Sequence, residues 1–314
     1  MPTAAPHASV APSLAAVLPQ HVHKTDPVEV LLTGWAATGP HSHTVTARWP
    51  GAHPFYAPVS GLPDPLLVAE TVRQAIPLLS HRAYDAPMDH RQSWSDFGFA
   101  LDGPAYAAAA RAGAEPRVEL RIACSGAVRR GGRLCSLTLD ADIRLNGVPV
   151  GVARTTFANH SPAIYRRLRG PYADLQHATA RALPPGAPLP AAHTGRTHPR
   201  DVVLSPTAHP RRTQLRVDLG HRTLFDHPVD HIPGMLMLEA ARQAAHAATH
   251  PRPMLLVGID CQFSRYGELD APCTLQTTPL PSRTPDRTCL LVTATQNNAC
   301  SFATTVTLQP APLP

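Results

Sequence analysis

The sequence predicts an α+β fold that occurs twice in the chain, each copy a long antiparallel sheet wrapped around one central helix. The main observation is an internal repeat: an apolar run containing Arg-Gln-Ala occurs at 67–75 and again at 237–244. In both copies a glutamate stands three residues before the arginine. In both halves, segments with the alternation and β-branched content of antiparallel strands follow the repeated helix.

The two repeated segments have the composition of buried helices. The first is predicted to span 65–82, with Asp64 as its N-cap and Pro65 in its first position. Pro77 is expected to bend or end the regular part of this helix. The second helix is predicted over 233–250, and its many alanines allow a sheet to approach closely.

Strands are predicted on both sides of each helix. Gly131-Gly132 and Asn146-Gly147 are strong hairpin turns, so the long strands that they join are antiparallel. The strands predicted in the first half are 27–35, 43–49, 117–130, 134–147 and 148–159. Those predicted in the second half are 201–206, 213–219, 255–263, 274–280, 288–296 and 300–309. Two such copies in one chain are expected to pack as a pseudo-dimer.

Proline-rich segments mark the expected domain boundaries. The chain has 314 residues, enough for two domains, and 36 prolines, many of them in the tails and between the halves. We interpret 1–20 as a disordered tail, 21–170 as the first copy, 171–200 as a linker rich in Pro and Ala, and 201–310 as the second copy.

The charge and composition favour an anionic partner, such as an acidic carrier protein or a phosphorylated metabolite. The net charge is +6, the pI is about 9.3, and Lys24 is the only lysine. No helix-turn-helix, zinc-finger spacing or basic aromatic helix is present, so no nucleic-acid partner is expected. Without a signal peptide, a membrane-spanning run or a C-x-x-C pair, the expectation is a cytoplasmic protein with free thiols and no membrane partner.

Each central helix carries a glutamate and an arginine spaced to face each other. Glu239 and Arg242 stand three residues apart on a helix with little polar surface, as do Glu70 and Arg73. One interpretation is a structural pair, although desolvation can cancel the attraction between buried charges. The loop rich in His and Pro before each helix favours a functional site instead. Helix N-terminal amides, as near Gly234, suit a thioester carbonyl, and a nearby glutamate can act as general base if burial raises its pKa.

The segments LFDHPVDHIPGMLMLEAARQA and LLVGIDCQFSRYGELDAPCTLQ resemble the hotdog fold of β-hydroxyacyl-carrier-protein dehydratases. The chain departs from those enzymes in the shorter loop between His227 and Pro233, and in Arg73 and Arg242, where they usually carry a small residue. These arginines and the doubled motif resemble more closely the A-factor biosynthesis (AfsA-like) family of tandem hotdog proteins. The similarity covers about 21–310 and is most specific in HPFYAPVSGLPDPLLVAETVRQAIPLLSH and DHIPGMLMLEAARQA.

This resemblance implies a tandem hotdog acyltransferase. It would join a β-ketoacyl group, delivered as a thioester on an acyl-carrier protein or CoA, to the hydroxyl of dihydroxyacetone phosphate. The ester would cyclise to a phosphorylated butenolide, the precursor of a γ-butyrolactone-type signalling molecule. No cofactor is implied. Two alternatives remain open: a hotdog dehydratase or thioesterase, and a non-catalytic protein that binds acyl groups or a butyrolactone.

The resemblance also implies catalytic residues. Glu70 is assigned as the base, and Arg242 as the anchor for the phosphate or carbonyl, with the two meeting at the interface of the halves. Arg73 and Glu239 would form the mirrored site.

Further residues are assigned to the site from the same pattern. His227 and His53 are candidates for the role of the dehydratase histidine, Gly234 for the helix N-terminus that binds the substrate, and Trp94 for the pocket wall. No metal site is expected: His227 and His231 are four residues apart, but Pro228 and Pro233 disfavour a helical ligand pair, and no H-E-x-x-H is present. Basic residues that follow the last strand of the first copy are a candidate dock for an acidic carrier or a solvated run: Arg166, Arg167 and Arg169.

Overall fold

The computed structural model describes residues 14–113 and 115–312, and one antiparallel sheet of 12 strands runs through this part of the chain. In the first half the strands are β1 (Leu32–Gly39), β2 (Ser42–Arg48), β3 (Arg91–Leu101), β4 (Arg117–Arg130), β5 (Arg133–Leu145) and β6 (Val148–His160). In the second half they are β7 (Leu204–Pro206), β8 (Arg212–Leu215), β9 (Met254–Phe263), β10 (Cys273–Leu280), β11 (Thr288–Gln296) and β12 (Ala299–Pro310). The order across the sheet is β1-β2-β4-β5-β6-β3-β9-β12-β11-β10-β8-β7, so each half repeats the other outward from the β3–β9 pair.

The two halves join where β3 pairs with β9. Phe97 lies opposite Cys261 and Phe99 lies opposite Ile259 in this antiparallel register. Gly98 allows the close approach, because a Cβ atom there would lie 3.1 Å from the carbonyl oxygen of Ile259. The hydrogen bonds of one sheet therefore fix the relative position of the two central helices.

Two long helices occupy the core. They are α1 (Leu66–Arg82) and α5 (Gly234–Thr249), and the shorter helices are α2 (Gly103–Arg111), α3 (Pro162–Arg169) and α4 (Leu175–Ala180). Every residue of α1 except Arg73 and Arg82 is buried. A helix that is apolar on nearly all sides must be covered on all sides, and the sheet, the loops and the other long helix cover it.

A buried glutamine fixes each long helix to the chain that precedes the first strand of its copy. The Oε1 atom of Gln74 accepts a hydrogen bond from the Leu31 amide at 2.9 Å, and Nε2 donates to the Glu29 carbonyl at 2.8 Å. Gln243 makes the same two bonds, to Val203 at 2.9 Å and Asp201 at 2.8 Å. The backbone groups of these segments would otherwise be buried without partners, so each glutamine stabilises its copy.

A short 3-10 helix occurs at the equivalent place in each half of the chain. A 3-10 helix at Pro19–Val22 precedes the first copy, and another at Ala191–Thr194 precedes the second. Each ends in a left-handed residue, His23 or Gly195. The second of these 3-10 helices and α4 lie within 171–200, the segment interpreted as a linker. Of the predicted tail, 1–13 lies outside the described residues, and the Ala15 backbone pairs with the strand that follows it.

The predicted elements differ from the structure at specific places. The strand predicted over 27–35 is wrong in its first part, because Asp26 accepts a hydrogen bond from Val28 and starts a 3-10 helix at Pro27–Glu29. The helix α1 does not end at Pro77 but continues to Arg82, where tertiary packing outweighs the proline. The sequence interpretation missed β3, α2 and α3, and it made the strands at 201–206 and 213–219 too long. No helix in the described ranges is long and apolar enough to cross a membrane.

Candidate functional site

A cavity of about 520 Å³ lies between the two copies. Glu70 and Arg73 of α1 and Trp94 of β3 line it from the first copy, and His227 and Gly234 line it from the second. Its apolar wall consists of Ile76, Pro77, Trp94, Leu224, Ile232, Met235, Met237, Phe263 and Phe302. The cavity therefore combines a charged group on one helix with enough apolar surface for an acyl chain.

Glu70 is the centre of the charged group. Its carboxylate accepts hydrogen bonds from Nε and Nη2 of Arg73, both at 2.8 Å, and from Nε2 of Gln74 at 2.8 Å, and the Lys24 ammonium lies 3.2 Å away. Burial alone would raise the pKa of Glu70, but Arg73, Lys24 and these hydrogen bonds together lower it to about 2. The condition for Glu70 as general base, a pKa raised by burial, is therefore not met in the structure.

Glu239 has the equivalent surroundings in the second copy. Its carboxylate accepts hydrogen bonds from Nε and Nη2 of Arg242 at 2.9 and 2.7 Å, and from Nε of Arg196 at 2.8 Å. Burial alone would raise the pKa of Glu239, but the two arginines hold it well below its ordinary value. Arg242 is 1% exposed and does not line the cavity between the two copies. The structure therefore does not bring Glu70 and Arg242 together, in contrast to the prediction, because each glutamate binds the arginine of its own helix.

Arg196 closes the second Glu–Arg group. It stands where the first copy has Lys24, and its longer side chain reaches past Glu239. Its guanidinium lies 4.0 Å from the centre of the Phe55 ring, donates to the Phe55 carbonyl and lies 3.4 Å from the Asp64 carboxylate. Residues of the first copy therefore occupy the space in front of Glu239, whereas the space in front of Glu70 is open.

The N-termini of the two long helices differ in whether a side chain caps them. The carboxylate of Asp64 accepts a hydrogen bond from the Leu66 amide at 2.9 Å, so the N-terminus of α1 is capped. Pro233 stands at the equivalent position before α5 and provides no side-chain cap. Gly234 and Met235, the first residues of α5, line the open cavity. A Cβ atom at Gly234 would lie 2.7 Å from the Trp94 ring, so glycine permits this close approach.

The loop before α5 is held against the first copy by hydrogen bonds. The Asp226 carboxylate accepts from the amides of Thr25 at 2.9 Å and Asp26 at 3.2 Å, and the Thr25 hydroxyl donates to the Asp226 carbonyl at 2.6 Å. The Thr223 hydroxyl donates to Glu29 at 3.1 Å. The open site is consequently composite: its ion pair comes from one copy and its covering loop from the other.

Two histidines of the cavity are kept neutral. Burial is the main cause that lowers the pKa of His227, while Asp226, 3.5 Å away, opposes the shift. Burial and the neighbouring His81 lower the pKa of His23 to about 3, and the two rings are joined by a 2.9 Å contact between their Nε2 atoms. A neutral imidazole can accept a proton, so His227 has the protonation state that a general base needs at pH 7.

His53 serves a different purpose from the one predicted. Its Nδ1 atom accepts hydrogen bonds from the amides of Phe55 at 3.1 Å and Tyr56 at 3.0 Å, and its Nε2 atom lies 3.4 Å from Glu29. The ring is buried and does not line the open cavity. The structure thus places His53 in a loop turn of the first copy.

Arg169 has different surroundings from Arg166 and Arg167, the other two arginines of α3. It is buried and donates to both carboxylate oxygens of Glu268, at 2.5 and 2.7 Å, and to the Asp230 carbonyl at 3.0 Å. This residue therefore ties α3 to the second copy. Arg166 and Arg167 are exposed, and Arg166 lines a second cavity of about 630 Å³ that adjoins the first.

The structure brings together five of the predicted site residues at the open cavity and leaves six elsewhere. Those at the cavity are Glu70, Arg73, Trp94, His227 and Gly234. Sequence reasoning missed Lys24 and Arg196, although HVHKTDPVE and HTGRTHPRD share their spacing and were the signal that could have found them. No three His, Cys, Asp or Glu side chains within 14–113 and 115–312 are grouped so that they could hold a metal ion.

Comparison with known proteins gives the family. The model of the A-factor biosynthesis hotdog domain matches residues 6–160 and 177–312. The chain belongs to this family. A 2-oxo-3-(phosphooxy)propyl 3-oxoalkanoate synthase of Streptomyces virginiae is 41% identical over 90% of this chain and 94% of its own length. Synthases of the same name from Streptomyces coelicolor and Streptomyces griseus are 40% and 36% identical.

Solved structures agree with the hotdog fold. An oleoyl thioesterase of Lactobacillus plantarum superposes with a TM-score of 0.50 at 12% identity, over 86% of this chain and 97% of that one. The family and the tandem hotdog fold predicted from the sequence are thereby confirmed. The predicted domain bounds stay a prediction.

We expect the two glutamates to differ in their effect on stability. Glu239→Gln leaves the buried Arg242 without a counter-charge and Arg196 with Asp64 alone, and should reduce the free energy of unfolding by about 3–5 kcal/mol. Glu70→Gln should cost clearly less, because Arg73 borders a cavity that water can enter and Lys24 keeps Glu29. Urea unfolding followed by circular dichroism measures both values. Equal losses would contradict the distinction between a closed and an open site.

Proposed function

We propose that the chain is a 2-oxo-3-(phosphooxy)propyl 3-oxoalkanoate synthase. It transfers a β-ketoacyl group from a thioester to a hydroxyl of dihydroxyacetone phosphate, and the ester then cyclises with loss of water to a butenolide phosphate. The names of relatives that are 36–41% identical over about 90% of the chain support this activity and the predicted enzyme class. The open cavity between the copies supplies both an apolar wall and a polar end for such substrates.

One observation carries the assignment of the reaction to the cavity in front of Glu70. There, an uncapped helix N-terminus lies across the same cavity from Glu70 and Arg73, whereas Asp64 and Arg196 fill the equivalent space in front of Glu239. A thioester carbonyl placed at the first amides of α5 would have its developing negative charge stabilised by free N–H groups and the helix dipole. The apolar wall would then hold the acyl chain.

We assign proton transfer to His227. Its neutral imidazole takes the proton of the attacking hydroxyl as the oxygen adds to the thioester carbonyl. When the tetrahedral intermediate collapses, the C–S bond breaks and the imidazolium returns the proton to the departing thiolate. Glu70 acts by holding Arg73 and Lys24 beside the substrate, since a carboxylate with a pKa of about 2 is a weak base.

The product of the reaction tests this proposal. Purified protein is incubated with dihydroxyacetone phosphate and a β-ketoacyl N-acetylcysteamine thioester, and the mixture is analysed by mass spectrometry. We expect a phosphorylated ester or its butenolide, absent when either substrate is omitted. Free β-keto acid alone would indicate a thioesterase, and stoichiometric binding without thiol release would indicate a non-catalytic protein.

The pH dependence tests the role of His227. Burial lowers the pKa of His227 below its ordinary 6.5, so the imidazole is still largely neutral at pH 6.5. We therefore expect kcat to fall only at a pH below 6.5. His227→Asn should lower kcat by about a hundredfold or more and remove the acidic limb of the pH profile. His209→Asn, on an exposed turn, is the matched control. A variant that keeps the parent's acidic limb would assign the titration to another group.

We further propose that the acyl donor is bound to an acidic carrier protein that docks on α3. In this helix Ile164 is 47% exposed and Leu168 is 59% exposed, beside the exposed Arg166 and Arg167. Arg166 also lines the second cavity. Apolar contacts flanked by arginines suit an acidic helical partner. Arg169 is excluded from the dock, because its guanidinium is already paired with Glu268.

The docking proposal is tested by comparing a carrier-bound donor with a donor that has no carrier. Arg167→Glu combined with Leu168→Asp should raise the KM for the carrier-bound donor about tenfold or more, and leave the KM for the N-acetylcysteamine thioester unchanged. Arg211→Glu with Arg212→Glu, two adjacent exposed arginines of the second copy, is the control. Unchanged kinetics with the carrier would remove α3 as the dock.

A further inference from the structure

The ion pairs of the open site do not provide a free positive charge for a phosphate. Arg73 is bound to Glu70, and Lys24 lies 3.2 Å from Glu70 and 3.8 Å from Glu29, so two cations face two carboxylates. Asp226 adds a third carboxylate to the cavity lining. A phosphate ester must therefore find its counter-charge elsewhere.

The second cavity lies beside this group and shares its polar residues. Five residues line both cavities, and none of them belongs to the apolar wall: His23, Lys24, Arg91, Tyr165 and His227. The residues of the apolar wall line only the first cavity, whereas the second has Met88, Pro162 and Ala173 as its apolar lining. A substrate that places its acyl chain in the first cavity would thus have its polar end at the junction with the second.

Two arginines of the second cavity are not paired with an acid. Arg91 of β3 and Arg166 of α3 line the second cavity, and no carboxylate of the described residues lies within ion-pair distance of either guanidinium. The lining of the second cavity includes one acidic residue, Asp89, which makes no ion pair with either arginine. The guanidinium of Arg91 lies 4.9 Å from the centre of the Tyr165 ring. Stacking of this kind leaves the N–H edge of a guanidinium available for an oxyanion.

Tyr165 gives Arg91 a rigid support. Its hydroxyl donates to the Asp230 carboxylate at 2.6 Å, and Asp230 also contacts His231 at 2.6 Å. The tyrosine is buried, although it belongs to a helix whose neighbouring residues are exposed. Arg91 itself is exposed, and the fixed Tyr165 ring supports one face of its guanidinium.

We infer that Arg91, at the junction of the two cavities, and Arg166, in the second cavity, form a subsite for a phosphate ester. This inference rests on the proposed function for the identity of the ligand, and two substrates of that reaction carry such a group. One is the acceptor, dihydroxyacetone phosphate. The other is the carrier, whose pantetheine arm is attached through a phosphate. Arg242, predicted as the phosphate anchor, is replaced in this role because it is buried against Glu239.

Matched substrates identify the phosphate that Arg91 binds. Arg91→Met keeps the length of the side chain and removes its charge. If the acceptor phosphate binds here, kcat/KM for dihydroxyacetone phosphate falls about ten- to a hundredfold with a phosphate-free thioester, while that for dihydroxyacetone is unchanged. If the pantetheine phosphate binds here, the fall occurs only with carrier or CoA thioesters. Arg166→Met should act in the same direction, and Arg211→Met is the control.

Binding measurements keep the subsite testable apart from the reaction. Isothermal titration calorimetry with dihydroxyacetone phosphate and with 4′-phosphopantetheine compares the parent and Arg91→Met in the absence of a second substrate. Weaker binding of one of these probes to the variant supports the subsite even if the parent makes no ester. Equal affinities together with unchanged kinetics for every substrate pair would overturn it.

Discussion

The bidentate ion pair between a glutamate and the arginine one turn later is the interaction on which both copies depend. It lies on a helix that is otherwise apolar, where a lone charge would be strongly unfavourable. A second cation completes each pair: Lys24 beside Glu70 and Arg196 beside Glu239. These cations come from the segments that precede the first strand of each copy, so the charge of the helix fixes the position of chain far from it in sequence.

The same interaction has opposite consequences in the two copies. Arg196 is long enough to reach Asp64 and the Phe55 carbonyl, and it closes the group around Glu239. Lys24 is shorter, and Asp226 of the loop that faces it accepts hydrogen bonds from the amides of Thr25 and Asp26. A cavity remains in front of Glu70, next to an uncapped helix N-terminus. The two copies therefore differ: one Glu–Arg pair faces an open cavity, and the other is enclosed by ion pairs with residues of both copies.

Much of the fold could be predicted from the sequence because its signals are local. The apolar helices, the Asp64 cap and the hairpins at Gly131-Gly132 and Asn146-Gly147 follow from neighbouring residues. The strand β3 was missed, although it joins the two halves, since RQSWSDFGFAL lacks clear alternation and is extended by pairing with β9 and β6. The doubled Glu and Arg led correctly to the family, and Glu70, Arg73, His227, Trp94 and Gly234 do line one cavity.

The sequence by itself determined the duplicated hotdog fold, the A-factor biosynthesis family and the presence of two equivalent Glu–Arg pairs. Only the tertiary structure decided which pair is open, because that depends on whether a lysine or an arginine reaches across to the other copy. It also decided that Glu70 has a lowered pKa, since the attraction of Arg73 and Lys24 outweighs burial only at the distances that packing sets. Motifs specify which groups are present, and the distances between groups from different copies exist only after the two sheets have joined.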